Sequence, residues 1–241
     1  MRDYLIFRLY GPLAAWGDVA VGEYRPSFAY PSKSAIVGLL AAALGIRRDE
    51  EERQKALTKA YSFAVRVDAM GTLLRDYHTT QVPSAKRGVI HCTRRSELAA
   101  DDVNTILSSR DYRCDAAYTV AISVREGAPF STRQLADALR KPVFTLYLGR
   151  KSCPPALPLQ PRVIGAATLR EAFDSVSLPT DELLGVVKTP AQVSVHWEDG
   201  EVSGYERDHV ITRRDAPLSR KRWQFAERRE NYASMRRGGE S

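Results

Sequence analysis

The chain of 241 residues is predicted to be an α+β protein. Its body is expected to be ferredoxin-like, with the RRM-like βαββαβ order, a protruding β-hairpin thumb and a smaller β-rich C-terminal region. Three observations predict this. Four runs rich in branched and aromatic residues occupy 3–10 (DYLIFRLY), 61–67 (YSFAVRV), 116–124 (AAYTVAISV) and 143–148 (VFTLYL). A helical period separates the first two runs, and another separates the last two. Between the second and third lies a long basic insert with little hydrophobic period. In this order the first and third strands lie at the centre of the sheet, as in RNA-recognition modules. The expected division is 1–160 for the body, with the thumb inserted at about 77–111, and 161–241 for a C-terminal hairpin region and basic tail.

The first strand is expected to close at Gly11-Pro12. Residues 13–30 read as irregular and carry Trp16, Tyr24, Phe28 and Tyr30. A helix over 32–44 has both ends marked, by Ser32 as N-cap and Gly45 as C′ residue. Ile36, Leu39, Leu40, Ala43 and Leu44 form its apolar face. Gly38 costs about 1 kcal/mol of helix propensity, a cost consistent with close packing against a sheet. Arg25, Ser32, Lys33 and Ser34 gather at the helix N-terminus, where free N–H groups and the dipole favour an anion. Ordinary capping beside a solvated lysine explains the same residues. Residues 47–59 read as a surface helix.

The insert, 74–113, carries five Lys/Arg against one Asp between Arg75 and Ser96. It includes Tyr77, His78, Thr79, Lys86, Arg87, His91 and, at its end, Arg113. A connection this long is usually functional, and an extended hairpin is expected. Ser131 caps a second helix over 132–141, which Pro142 ends. A turn, Leu148-Gly149-Arg150-Lys151-Ser152, leads into a proline-rich loop reaching Pro161. A short helix is expected over 169–176. Residues 192–197 and 201–205 flank Glu198-Asp199-Gly200, which reads as a hairpin turn.

The net charge is +7, and residues 207–241 hold ten Lys/Arg against five Asp/Glu. A basic balance points to nucleic acid or an acidic surface. Arg2, Asp3 and Arg8 break the first apolar run, so no secretory leader is expected, and the longest apolar run, 35–44, is too short to span a bilayer. Cys92, Cys114 and Cys153 are odd in number and lack C-x-x-C spacing, so a disulfide framework, a metal site and a cofactor are not indicated. A cytoplasmic setting without membrane contact is expected.

The chemistry lies in the insert. A metal-independent ribonuclease needs a base, an acid and a cation at the phosphorane, roles that suit His78, Tyr77 and Lys86. The same residue types bind RNA without cutting it, by stacking and by phosphate contact. Both readings stand on the residues alone. In the expected fold the Gly149 turn faces the Arg25/Lys33 cluster and completes one anion-binding groove.

Five ordered stretches carry a resemblance: FRLYGPLAAWG at 7–17, RPSFAYPSKSAIVGLLAAALGI at 25–46, LRDYHT at 74–79, YRCDAAYTVA at 112–121 and KPVFTLYLGRKSCP at 141–154. Together they resemble the CasD family, a subunit of Cascade, the type I-E CRISPR surveillance complex, within the repeat-associated mysterious protein superfamily. The resemblance extends from Met1 to about Leu159, and the aromatic-basic run 221–228 also fits. It implies a subunit that holds the 5′ handle of crRNA, contacts the backbone and large subunits, and meets target DNA only through the complex. By position it assigns RNA contacts to Arg25, Ser32, Lys33 and Ser34; to Tyr77, His78 and Thr79; and to Tyr147, Leu148, Gly149, Arg150 and Lys151. Lys86, Arg87 and Arg113, basic residues of an insert whose interior departs most from the family pattern, are expected to add RNA contacts. In type I-E systems another subunit cleaves the precursor RNA. In type I-C systems the related subunit cleaves it with Tyr, Lys and His. The resemblance therefore argues against catalysis here.

Overall fold

The computed structural model describes residues 1–176, 186–187 and 190–236. Chain order begins with β1 (Arg2–Ala14) and three short strands, β2 (Trp16–Gly17), β3 (Tyr24–Arg25) and β4 (Ser27–Phe28). Helices α1 (Lys33–Ala43) and α2 (Glu51–Ala60) lead into β5 (Tyr61–Ala69). The insert follows as β6 (Thr72–Pro83), α3 (Arg94–Leu98) and the first half of β7 (Val103–Val124). Then come α4 (Thr132–Arg140), β8 (Arg162–Ala166), α5 (Leu169–Asp174), β9 (Gln192–Glu198), β10 (His209–Ser219) and β11 (Gln224–Arg236).

One large sheet has the order β10-β11-β9-β5-β7-β1-β8, with β3 and β6 also paired to β7. β1 and β7 are central and antiparallel, from Tyr4 opposite Ser123 to Ala14 opposite Arg113. Alternation along β1 sorts side chains between two faces. Leu5, Phe7 and Leu9 pack with Ile36, Leu40, Leu57, Leu135 and Leu139 under α1, α2 and α4. Tyr4 and Ile6 pack on the other side with Leu169, Phe173, Val195 and Trp197. β5 is buried along its whole length because both its faces are covered.

The helix ends follow the sequence. Ser32 Oγ accepts the Ala35 N–H at the start of α1, and Gly45 takes φ +72° beyond its end. Ser131 and Gln134 form a reciprocal capping box on α4.

Four expectations are corrected. β1 does not close at Gly11-Pro12: it runs on to Ala14, because the central partner β7 continues opposite it. A Cβ on Gly11 would stand 2.8 Å from the Pro154 carbonyl oxygen, so glycine there admits a crossing backbone. The run 143–148 is not the fourth strand. The Val143 and Phe144 N–H groups instead donate to the Ala43 and Ala42 carbonyls at the end of α1, and β8 pairs with β1 in the strand's place. The thumb is longer than expected: its ladder runs from Thr72 opposite Cys114 to Pro83 opposite Val103.

The fourth correction concerns the C-terminal region. Glu198-Asp199-Gly200 does not turn a hairpin. After Gly200 the chain leaves the sheet, and the Glu201 carboxylate accepts bonds from Arg2, the Tyr4 hydroxyl and the Ser123 hydroxyl. The hairpin is β10–β11, in the stretch read as a basic tail, and it extends the sheet through β9. Residues 237–241 lie outside the described residues.

Candidate nucleic-acid interface

The root of the thumb is a three-stranded ribbon. β3 joins β7 in parallel, Tyr24 beside Ser109 and Arg25 beside Arg110, while β6 places Tyr77 beside Ser109 and Asp76 beside Arg110. One row therefore carries Tyr24, Ser109 and Tyr77 on one face. The next carries Arg25, Arg110 and Asp76 on the other. Tyr77 is 66% exposed, a large ring held open to solvent.

A buried carboxylate fixes this root. Asp111, 2% exposed, accepts bonds from Arg75 Nε at 2.9 Å and from the Tyr24 hydroxyl. The Arg75 guanidinium holds the Asp111 carboxyl below the usual carboxylate range. Arg75 also lies 4.9 Å from the Tyr24 ring centre. On the far side Arg150 donates 3.1 Å bonds to the Asp111 and Arg25 carbonyls and stacks 4.6 Å from the centre of Tyr112. Gly149 makes this reach possible. Its φ is +86°, and a Cβ there would stand 1.9 Å from the Ala15 carbonyl oxygen, so only glycine lets the turn close against Ala15. Leu148 is buried behind it, bonded through its backbone to Ala15 and Cys153. Lys151 is exposed, and Tyr147 lies at the surface nearby.

Arg150 thus meets the backbone of Arg25 at the thumb root, Tyr77 projects from the opposite face of the same ribbon, and Lys33 lies apart from both. Lys33 is 7% exposed. Its Nζ lies 2.9 Å from a Glu198 carboxylate oxygen, and burial lowers its pKa. Its backbone N–H donates to Asp215 Oδ2 at 2.9 Å. The anion expected at this helix N-terminus is present, but it is the chain's own Asp215, carried by β10. Ser32 and Ser34 face each other at 2.9 Å within the same turn, Ser32 buried and Ser34 half-buried. The Lys33 phosphate contact is corrected on these grounds.

The ribonuclease triplet does not assemble. Tyr77 and His78 are successive strand residues and point to opposite faces; His78 Nδ1 lies 4.0 Å from Asp76. Lys86 lies beyond the end of the ladder at Pro83, about 20 Å of strand from Tyr77. There its Nζ pairs with Asp102 at 3.0 Å. Arg87 is exposed at the same tip. Thr79 with His78, Gln81, Arg94, Leu98 and Thr105 lines an open groove of about 450 Å³ between α3 and β6. Arg113 is half-buried where thumb meets body, its Nε without a hydrogen-bond partner.

The reading of the sequence missed Tyr24, Arg75, Arg110, Asp111 and Tyr112. The signal was present as RDYRC at 110–114, an Asp between cations and a ring, but it fell at the edge of an insert that gave no period.

Comparison with known proteins shows the family. A family model described as CRISPR-associated protein (Cas_Cas5) matches residues 4–230. The chain is 39% identical over 167 residues to the CRISPR system Cascade subunit CasD of Escherichia coli (strain K12), covering 66% of this chain and 70% of that protein. It superposes on a chain of a solved CRISPR RNA-guided surveillance complex with a TM-score of 0.67 and 28% identity, over 97% of this chain and 90% of that one. A crystal structure of a Cas protein matches with a TM-score of 0.66 and 29% identity, over 97% and 95% of the two chains. The chain belongs to the Cas5 family of CRISPR-associated proteins, and is similar within it to CasD.

Proposed function

We propose that this protein is a non-catalytic subunit of a type I-E Cascade complex in the cytoplasm, binding the 5′ handle of crRNA at the thumb root. One observation carries the reading. The ribbon of β3, β7 and β6 presents Tyr77 and Tyr24 on one face and Arg25 and Arg110 on the other, on a base braced by Asp111 and Arg150. Cations on such a base suit phosphates, and an open ring suits an unstacked base. The strand order β5-β7-β1-β8, with crossing helices, supports a ferredoxin-like body of the RRM type. The thumb beyond Pro83 is the part that reaches toward the backbone and large subunits.

The test is the salt dependence of RNA binding by the purified complex. Arg25→Ala with Arg110→Ala should flatten the slope of log K against log salt by about 1 to 2, because fewer counterions are released. An unchanged slope overturns the assignment. The enzymatic alternative, a repeat endoribonuclease using Tyr77, His78 and Lys86, predicts site-specific cuts of repeat RNA in EDTA that vanish in His78→Ala.

A further inference from the structure

The turn between β10 and β11, residues 220–223, lies against α1 on a surface that shares no residue with the thumb root. Arg220 Nη2 donates to the Ser34 carbonyl. A Cβ on Gly38 would stand 3.4 Å from that same nitrogen, so the glycine leaves the helix backbone open to the guanidinium. Arg220 is half-buried, and burial, then the nearby Arg48 charge, lower its pKa to about 10. Among the described residues neither Arg220 nor Arg48 has a carboxylate within ion-pair distance. Glu51 is bonded instead to the Ser219 hydroxyl, whose oxygen also accepts the Arg222 N–H. Two cations are thus held together, with Lys221 and Arg222 exposed beside them.

Trp223 completes the cluster. It is 57% exposed, with Arg48 4.6 Å and Arg220 5.9 Å from its ring centre. Its φ is +57°, a left-handed conformation that glycine enters freely and a bulky side chain does not. A large ring kept outward at a strained position, among unneutralised cations, is a feature that stability does not explain.

We propose that this turn is a second contact for single-stranded nucleic acid, with a base stacked on Trp223 and its phosphates met by Arg48 and Arg220. The charge favours an anion. The open ring selects an anion that carries a flat apolar group, which is an unpaired nucleotide rather than an acidic protein face. Stacking and phosphate contact do not need a 2′-hydroxyl, so RNA and DNA strands both qualify.

The chain has three tryptophans, and Trp16 and Trp197 are 1% and 4% exposed, so Trp223 dominates any quenching by a bound base. The 241-residue chain carrying Arg25→Ala and Arg110→Ala, which removes the two thumb-root cations assigned to phosphates, is titrated with short oligouridylate and oligothymidylate at low salt. Saturable quenching by both is expected. Trp223→Phe should abolish the signal while the affinity for labelled oligonucleotide stays within about 3-fold. Trp223→Gly, which suits the turn, should melt at the same or a higher temperature yet bind about 10-fold more weakly. The same titration on the crRNA-loaded complex separates the sources: quenching that persists there indicates an added strand, and quenching seen only without crRNA indicates the resident RNA. No quenching in either form, or Trp223→Gly binding as tightly as Trp223, overturns the proposal.

Discussion

His196 shows what a single buried residue does to this protein. Its ring stacks on Tyr30 with centres 3.7 Å apart, and its Nδ1 has no hydrogen-bond partner. Glu230 Oε1 lies 3.6 Å away, yet Glu230 already serves Arg213, Arg228 and the Tyr30 hydroxyl. Burial first, then the charges of Arg213 and Arg228, lower the His196 pKa from 6.5 to about 3. The folded state therefore keeps the ring neutral, while the unfolded state takes a proton below pH 6.5. Stability contributed by His196 is present above that pH and is lost as pH falls toward 3. Between pH 7 and pH 5 the loss should be roughly 2 kcal/mol, at about 1.4 kcal/mol per pH unit. Urea unfolding at the two pH values checks this. In His196→Phe, which keeps the stack, the difference should largely vanish. At this scale the sequence was only partly legible. Gly45, Ser32 and Ser131 announced themselves because caps are local chemistry. Lys33 misled because its partners, Glu198 and Asp215, are more than 160 residues away, and no local pattern reports a buried ion pair.

Among the elements, the thumb is the most separable. Its ladder is exposed or half-buried along β6, and no residue from Ser84 to Asp102 is buried. Replacing that stretch with Asn-Gly between the paired Pro83 and Val103 gives a two-residue turn that suits a hairpin. The unfolding free energy should change by no more than about 0.5 kcal/mol, as for surface changes elsewhere. Assembly with partner subunits should fail, read by size-exclusion chromatography of the co-expressed complex; normal assembly would remove the thumb tip from the interface. β1, β5 and the body half of β7 were legible because each alternates or is wholly apolar, whereas β8, five residues after a proline-rich loop, was too short to show a period. The thumb half of β7 was not: neither of its faces is covered, so nothing sorts its residues by period. The run 143–148 failed the other way, its branched and aromatic residues serving to cover the end of α1 rather than to pair.

At the scale of the whole molecule, the C-terminal hairpin holds the sheet and first helix together. Asp215 takes the Lys33 N–H and two bonds from Arg228, while Glu230 takes a third bond from Arg228 and the Tyr30 hydroxyl. Lys33 and Arg125 meet on Glu198. Removing one partner from a buried pair costs about 3–5 kcal/mol, comparable to the stability of many domains. Truncation after Asp208 should therefore yield a chain without a cooperative thermal transition. A dispensable tail would instead leave the melting temperature unchanged. The sequence named the charge of this region correctly and misjudged its role, since composition alone does not distinguish a solvated face from an internal network.

β7 is one strand of 22 residues shared by body and thumb. Its single left-handed residue, Asp115 at φ +53°, marks the point where one half hands over to the other. A projection built this way cannot swing on a loose hinge. Torque applied at its tip passes along the same backbone into the middle of the sheet, so the angle at which the lever meets its neighbours is set when the protein folds, before any neighbour arrives.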